Sequence, residues 1–213
     1  MGFVPIKKDR TMTTKNHYND LYKKETDPFG VGPSKLTTML LDYISNGSVY
    51  EIGAGNGRNS LFLASKGFDV EINDTSDAGI GAVENKAKEL NLDIKTNTED
   101  VRSVKFSKEY DVVLSTFVFH HLKVKEGFQV VSKIKEATKK GGFNVISVFT
   151  KKGDFYKLPI SKLFFYLEEN ELKDLYADWD VLVYKEQEGT AHETRADGTP
   201  MKNVLAHMIA RKP

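Results

Sequence analysis

The residues able to do chemistry gather around one glycine loop, Glu51-Ile52-Gly53-Ala54-Gly55-Asn56-Gly57-Arg58-Asn59. Three alternating glycines carry no Cβ, so the backbone can take positive φ and come close to a ligand. A helix that starts straight after such a turn aims unpaired N–H groups into it, a corner suited to a nucleotide-type ligand. A dinucleotide fingerprint would need glycine at position 58, where this chain has Arg58. A plain glycine turn in some other α/β fold is the bland alternative. Asp74 follows about twenty residues after the first loop glycine, where an acid can accept hydrogen bonds from ribose hydroxyls. It could equally cap the next helix, with Thr75 and Ser76 as rivals for that role. His120-His121 could serve as a base or metal pair, or simply pack at a strand-to-helix junction. With no cysteine in the chain, disulfides, thiolate metal sites and cysteine nucleophiles are excluded.

The elements that must position these groups can be read from periodicity. Residues 48–52 are β-branched and aromatic and follow the Asn46-Gly47 turn, so they read as a strand. Residues 59–66 read as a helix that stops at Gly67. Phe68, Val70 and Ile72 alternate with acids in a second strand, and a helix over 77–90 and a third strand over 91–96 follow. Val112, Val113 and Leu114 form a continuous apolar run, as in a parallel strand buried on both faces. An amphipathic helix is expected over 124–140, ended by Gly141-Gly142 and followed by a strand over 143–149. Residues 155–165 are aromatic and broken by Pro159, either an insertion over a pocket or a packing segment. A helix over 167–176 precedes two alternating strands, 179–185 and 204–211, joined by a polar loop over 189–200. At the front, residues 1–15 read as a flexible tail. A helix over 16–24 carries Tyr18, Leu21 and Tyr22 on one face, and Ser34 is a plausible N-cap for a helix over 35–44. The remaining 16–213 form one domain.

Composition narrows the function classes. The chain has 213 residues, 29% charged and 39% hydrophobic, with net charge +1. This suits a single domain with a full core. No Lys/Arg run suggests a nucleic-acid footprint. No apolar run reaches membrane-spanning length, and no signal-peptide core is present. The expected compartment is the cytoplasm, and the expected partner is a small molecule bound by a monomer or homodimer.

The spacing Glu51-x-Gly53-x-Gly55-x-Gly57 resembles motif I of the class I S-adenosylmethionine (SAM) methyltransferases. That resemblance implies an α/β, Rossmann-like fold: a seven-stranded, mostly parallel sheet, its last strand antiparallel, with helices on both faces. It implies that Glu51, Gly53, Ala54, Gly55, Arg58 and Asn59 form the floor under the cofactor, with Asp74 and Thr75 at the ribose. A carboxylate after the third strand would meet the adenine amino group. Asp100 is the choice, with Val101 flanking the ring, although a solvated turn acid fits the residues almost as well. Tyr18 would cap the cofactor and Thr116 would end a neighbouring strand. Phe117, His120 and Phe155 would shape the acceptor pocket, with no metal. A DNA adenine methyltransferase would carry an Asn/Asp-Pro-Pro-aromatic motif where this chain has Ser115-Thr116-Phe117-Val118.

More specifically, the chain resembles the tellurite-resistance methyltransferases of the TehB type over roughly residues 16–212. The matching stretches include Gly55-Asn56-Gly57-Arg58-Asn59-Ser60-Leu61, Tyr110-Asp111-Val112-Val113-Leu114-Ser115-Thr116, Tyr176-Ala177-Asp178-Trp179 and Ala210-Arg211-Lys212. The resemblance implies SAM-dependent methylation of tellurite, selenite or another soft nucleophile, leaving S-adenosylhomocysteine (SAH). It places a catalytic histidine at His192. The family follows that histidine with an arginine and carries a second arginine several residues later. Here those positions hold Glu193 and Pro200, and Arg195 is the nearby residue that could supply positive charge. An oxyanion acceptor should want such a cation. A small metabolite or thiol acceptor is the second reading, and a SAM-binding sensor without catalysis is a third.

Overall fold

β1 (Ser48–Ile52) is buried along its whole length, and the sheet is laid out on either side of it. The computed structural model describes residues 14–25 and 27–213, apart from the His192 side chain. Most of the expected tail, up to residue 13, lies outside the described residues. β1 pairs in parallel with β2 (Asp69–Asp74) and with β4 (Tyr110–Thr116). β3 (Ile94–Thr98) extends the sheet beyond β2. On the other side, β5 (Thr138–Phe149) pairs in parallel with β4, and β7 (Pro200–Arg211) runs antiparallel between β5 and β6 (Asp180–Thr194). The seven-stranded order is β3-β2-β1-β4-β5-β7-β6.

Alternation along the strands sends side chains into two cores, one per face. Val49, Val112, Leu114 and Val145 meet α2 (Lys35–Leu40), α3 (Arg58–Ser65) and α4 (Asp77–Glu89) through Leu40, Leu63 and Val83. Tyr50, Val113, Ile146 and Met208 meet α5 (Val124–Glu136) and α7 (Glu171–Asp174) through Val130, Ile134 and Leu172. Burial on both faces is why the central strands are continuously apolar. Ser34 caps α2 by accepting a hydrogen bond from the Thr37 N–H at 3.1 Å.

The structure moves several expected boundaries. α5 ends at Glu136, and residues 138–140 belong to β5, not to the helix. The apolar face of α5 is complete by Ala137, and the fully buried Thr138 pairs opposite Tyr110. The helix expected over 167–176 shrinks to the single turn of α7. Leu167 bridges to Thr150, and Asn170 takes a left-handed φ of 64°. α2 stops at Leu40, and β3 starts at Ile94, not at 91. The polar loop expected over 189–200 is mostly strand. β6 and β7 continue to Thr194 and from Pro200, with a register irregularity between Thr190 and Thr194. The first helix is α1 (Thr14–Lys24). No helix of the described residues is long and apolar enough to cross a membrane.

Candidate active site

The parallel strands all end at one edge, and there the chain encloses a cavity of about 1090 Å³. Sheet order divides it into two halves. The loops after β1, β2 and β3 supply one half, and β4, β5, β7 and β6 supply the other.

The first half is built on the glycine loop. Gly53, Gly55 and Gly57 all take left-handed φ, at 62°, 61° and 73°. A Cβ on Gly53 would sit 2.4 Å from Val118 Cγ2, and one on Gly55 would sit 2.3 Å from the Tyr22 hydroxyl. The loop is therefore glycine both for its conformation and for the close approach of its cover. The Gly55 N–H donates to Asp74 Oδ2 at 2.8 Å, and the Ser76 N–H donates to Asp74 Oδ1 at 2.8 Å. Ser76, not Asp74, caps α4. Burial pushes the Asp74 carboxyl above its ordinary pKa, while the backbone N–H groups around it pull the other way. Ala54, Arg58, Asn59, Thr75 and Asn73 complete this wall. Asp100 and Val101 line its far end. The Arg102 guanidinium grips Asp100 at 2.8 and 2.5 Å and holds its carboxyl below the usual range.

Glu51 departs from the expectation of direct cofactor contact. It lies behind the loop at 1% exposure and does not line the cavity. Its carboxylate accepts hydrogen bonds from Asn59 Nδ2 at 2.9 Å and from the Ser60 hydroxyl. Burial raises its pKa from the ordinary 4.5 to about 7, against the pull of those two donors. Asn59 also donates to Thr116 Oγ1 at 3.2 Å, tying α3 to the end of β4.

α1 closes the cavity from above. Lys15 pairs with Asp77 at 2.8 Å, and Asn19 Oδ1 accepts from Ser76 Oγ and from the Ala78 N–H. Tyr18 and Tyr22, four residues apart and therefore on one helix face, both point into the cavity. The Tyr18 hydroxyl is hydrogen-bonded to His121 Nε2 at 2.8 Å. Burial, helped by the charges of Asp74 and Glu193, raises the Tyr18 pKa.

The second half is aromatic. Phe117, at the end of β4, holds a left-handed φ of 60°. Such strain in a non-glycine residue costs of order 1–3 kcal/mol and clusters at functional sites. Its ring lies 5.7 Å from that of Phe149, which lies 5.4 Å from Phe155 and 4.9 Å from His120. Burial lowers the pKa of both His120 and His121, the latter to about 4, so both are neutral at pH 7. Among the described residues, no group of three His, Asp or Glu could hold a metal ion. Glu193 lines the cavity where the register of β6 breaks.

Arg195 is not at the site. Its Nε and a terminal nitrogen donate to Asp154 Oδ2 at 3.0 and 2.6 Å, and it does not line the cavity. The turn at 195–199 carries it past the β6–β7 edge to a carboxylate already bound by Lys157 and by the Lys202 N–H. His192 lies in β6, its side chain outside the described set. The other expected site residues all line the one cavity. Sequence reasoning missed Tyr22, Asn73, Phe149, Asn203 and Leu205 as lining residues. Only Tyr22 had a usable signal, its spacing from Tyr18.

A sheet in this order, with a glycine loop at its crevice and carboxylates after β2 and β3, defines the class I methyltransferase fold. The solved structure of magnesium protoporphyrin IX methyltransferase from Synechocystis PCC 6803 with bound SAM shares that fold: TM-score 0.65, 16% identity, 93% of this chain and 95% of that one. Residues 14–209 match the family described as tellurite resistance protein TehB, and the chain belongs to that family. A Haemophilus influenzae relative, "Probable S-adenosyl-L-methionine-dependent methyltransferase TehB", is 36% identical over 170 residues, 79% of this chain. The chain spans 58% of that relative's length. The crystal structure of TehB from Haemophilus influenzae superposes with TM-score 0.78 at 32% identity, covering 92% of this chain and 67% of that one.

Proposed function

We propose that this chain is a SAM-dependent methyltransferase acting on a small acceptor, in keeping with the methyltransferase names of its relatives. The observation that carries the reading is one cavity with two unlike halves. A glycine cradle with Asp74 beside it and Asp100 at its far end forms one side, and an aromatic chamber opens on the other. The residues of the cradle suit the cofactor: a Cβ would collide with Val118 at Gly53 and with Tyr22 at Gly55, and Asp74, which accepts from the Gly55 N–H, would also accept from ribose hydroxyls. Gly53, Gly55, Asp74, Thr75, Asp100 and Val101 would hold SAM, with Tyr18 and Tyr22 closing over it. The bound cofactor supplies an activated methyl group. The chain's own work is to align the acceptor for in-line attack and keep water out. Phe117, His120 and Phe155 shape the acceptor's place, and His192 orients it or takes a proton. The family's description points to tellurite, with selenite or another soft nucleophile as related acceptors, in the cytoplasm and without nucleic acid.

The second reading is a small organic acceptor, and Glu193 favours it, because a carboxylate in the chamber opposes an incoming oxyanion. Calorimetry with SAM and SAH, followed by product analysis with tellurite, selenite and a thiol panel, tests the proposal. Binding with turnover of any of these supports it. Failure to bind SAM or SAH overturns it.

A further inference from the structure

Asn203 is a polar side chain set into the apolar half of the cavity. It lies on β7 opposite Gly189 of β6 and is 3% exposed. Asn203 and Leu205 are two residues apart, hence on one face of the strand, and both line the cavity. α6 (Asp154–Lys157) lies across this end of β7 and is held there by two hydrogen bonds. The Lys202 N–H donates to Asp154 Oδ2 at 2.8 Å, and the Phe155 N–H donates to Asn203 Oδ1 at 2.9 Å. Gly153 permits the approach, since a Cβ there would sit 2.5 Å from Asn203 Oδ1. The backbone donor also decides which way round the amide stands, because only its oxygen can accept. The NH2 end therefore points elsewhere, and among the described residues no group accepts from Nδ2. A buried amide donor without an acceptor costs free energy that a ligand's oxygen would recover.

We propose that Asn203 determines acceptor specificity: its Nδ2–H binds an oxygen of the methyl acceptor, a compact and largely apolar molecule carrying a carbonyl-type oxygen. The inference rests on the methyltransferase reading above. The rest of the chamber fits such a molecule. The Phe155 ring lies 5.4 Å from that of Phe149, which lies 5.7 Å from Phe117, and Phe164 and Leu205 also line the cavity. A pocket of this kind takes its affinity from apolar contact and its selectivity from a few fixed polar groups. Asn203 is fixed in advance, because the Phe155 N–H already holds the other end of its amide, so little ordering remains when the acceptor arrives. Its donor is uncharged and suits an uncharged oxygen. Asn203 transfers no proton. Its work is to hold the acceptor in one orientation toward the methyl group.

The test compares two probes that differ at the oxygen, acetophenone and ethylbenzene, each titrated into the SAH-bound protein and followed by NMR. In the unaltered protein acetophenone is expected to bind more tightly, although it is the less hydrophobic of the two. Asn203→Asp keeps an oxygen for the Phe155 N–H and, ionised at pH 8, has no hydrogen to donate. This variant is expected to weaken acetophenone about tenfold and to leave ethylbenzene and SAH affinity unchanged. A purely structural role for Asn203 would weaken both probes together. Equal loss of the two probes, or loss of neither, overturns the inference while SAH binding keeps the methyltransferase reading in place. If the variant fails to bind SAH, the unaltered protein decides: ethylbenzene binding as tightly as acetophenone overturns the inference. If the unaltered protein does not bind SAH, the methyltransferase reading falls and this inference falls with it.

Discussion

Glu51→Gln keeps the shape of a fully buried carboxyl and removes its titration. Burial raises the Glu51 pKa from 4.5 to about 7. The folded chain therefore favours the neutral form. The associated stability is fully present below about pH 4.5 and is lost as the pH rises through about 7. The gap between the two values corresponds to about 3 kcal/mol. Glutamine carries no such penalty, so the variant should gain on the wild type by about 3 kcal/mol between pH 4.5 and 8, or about 6–12 °C in Tm for a chain of this size. Thermal denaturation of both proteins at pH 5, 6, 7 and 8 gives the difference, and titrations elsewhere in the molecule cancel from it. Parallel Tm profiles would refute the reasoning. They would mean that the donors Asn59 and Ser60 hold the carboxylate ionised in spite of its burial.

Three further outcomes test the site. Gly55→Ala forces alanine into φ 61°, a cost of about 1–2 kcal/mol, and puts a Cβ 2.3 Å from the Tyr22 hydroxyl. Calorimetry should show SAH affinity down by more than about tenfold, and unchanged affinity would mean the cover shifts freely. Tyr18→Phe removes the 2.8 Å hydrogen bond between α1 and His121. Tm should fall by about 2–6 °C, and an unaltered Tm would show that α1 is not anchored through this pair. Arg195→Ala should lower Tm by about 2–4 °C, because its part-exposed pair with Asp154 is worth about 1 kcal/mol, and should leave SAH affinity intact. A tenfold loss of turnover with Tm unchanged would return Arg195 to the catalytic machinery.

Much of this protein is local and therefore legible in the chain. Alternating glycines between a strand and a helix demand positive φ and a close neighbour, whatever lies around them, and both are found at Gly53 and Gly55. The uninterrupted Val112-Val113-Leu114 run requires cover on both faces, which determines a parallel central strand. Asp74 and Asp100 fall at strand ends by simple counting, and in parallel strands those ends share one edge. Ser34 caps its helix because its side chain reaches only three residues ahead.

Other features depended on partners far away in sequence. Thr138 left its helix because Tyr110 pairs with it, and β6 reached Thr194 because β7 was there to receive it. Asp154 took Arg195 across 41 residues, so a cation that sequence proximity put beside the acceptor is outside the cavity. Glu51 reads as a motif residue next to the cofactor, yet α3 packs Asn59 and Ser60 over it and makes it a support for the loop. Periodicity reports which face of an element is buried, but not which partner covers it. The pairing of charges and the contents of the acceptor chamber were therefore decided only when the strands met.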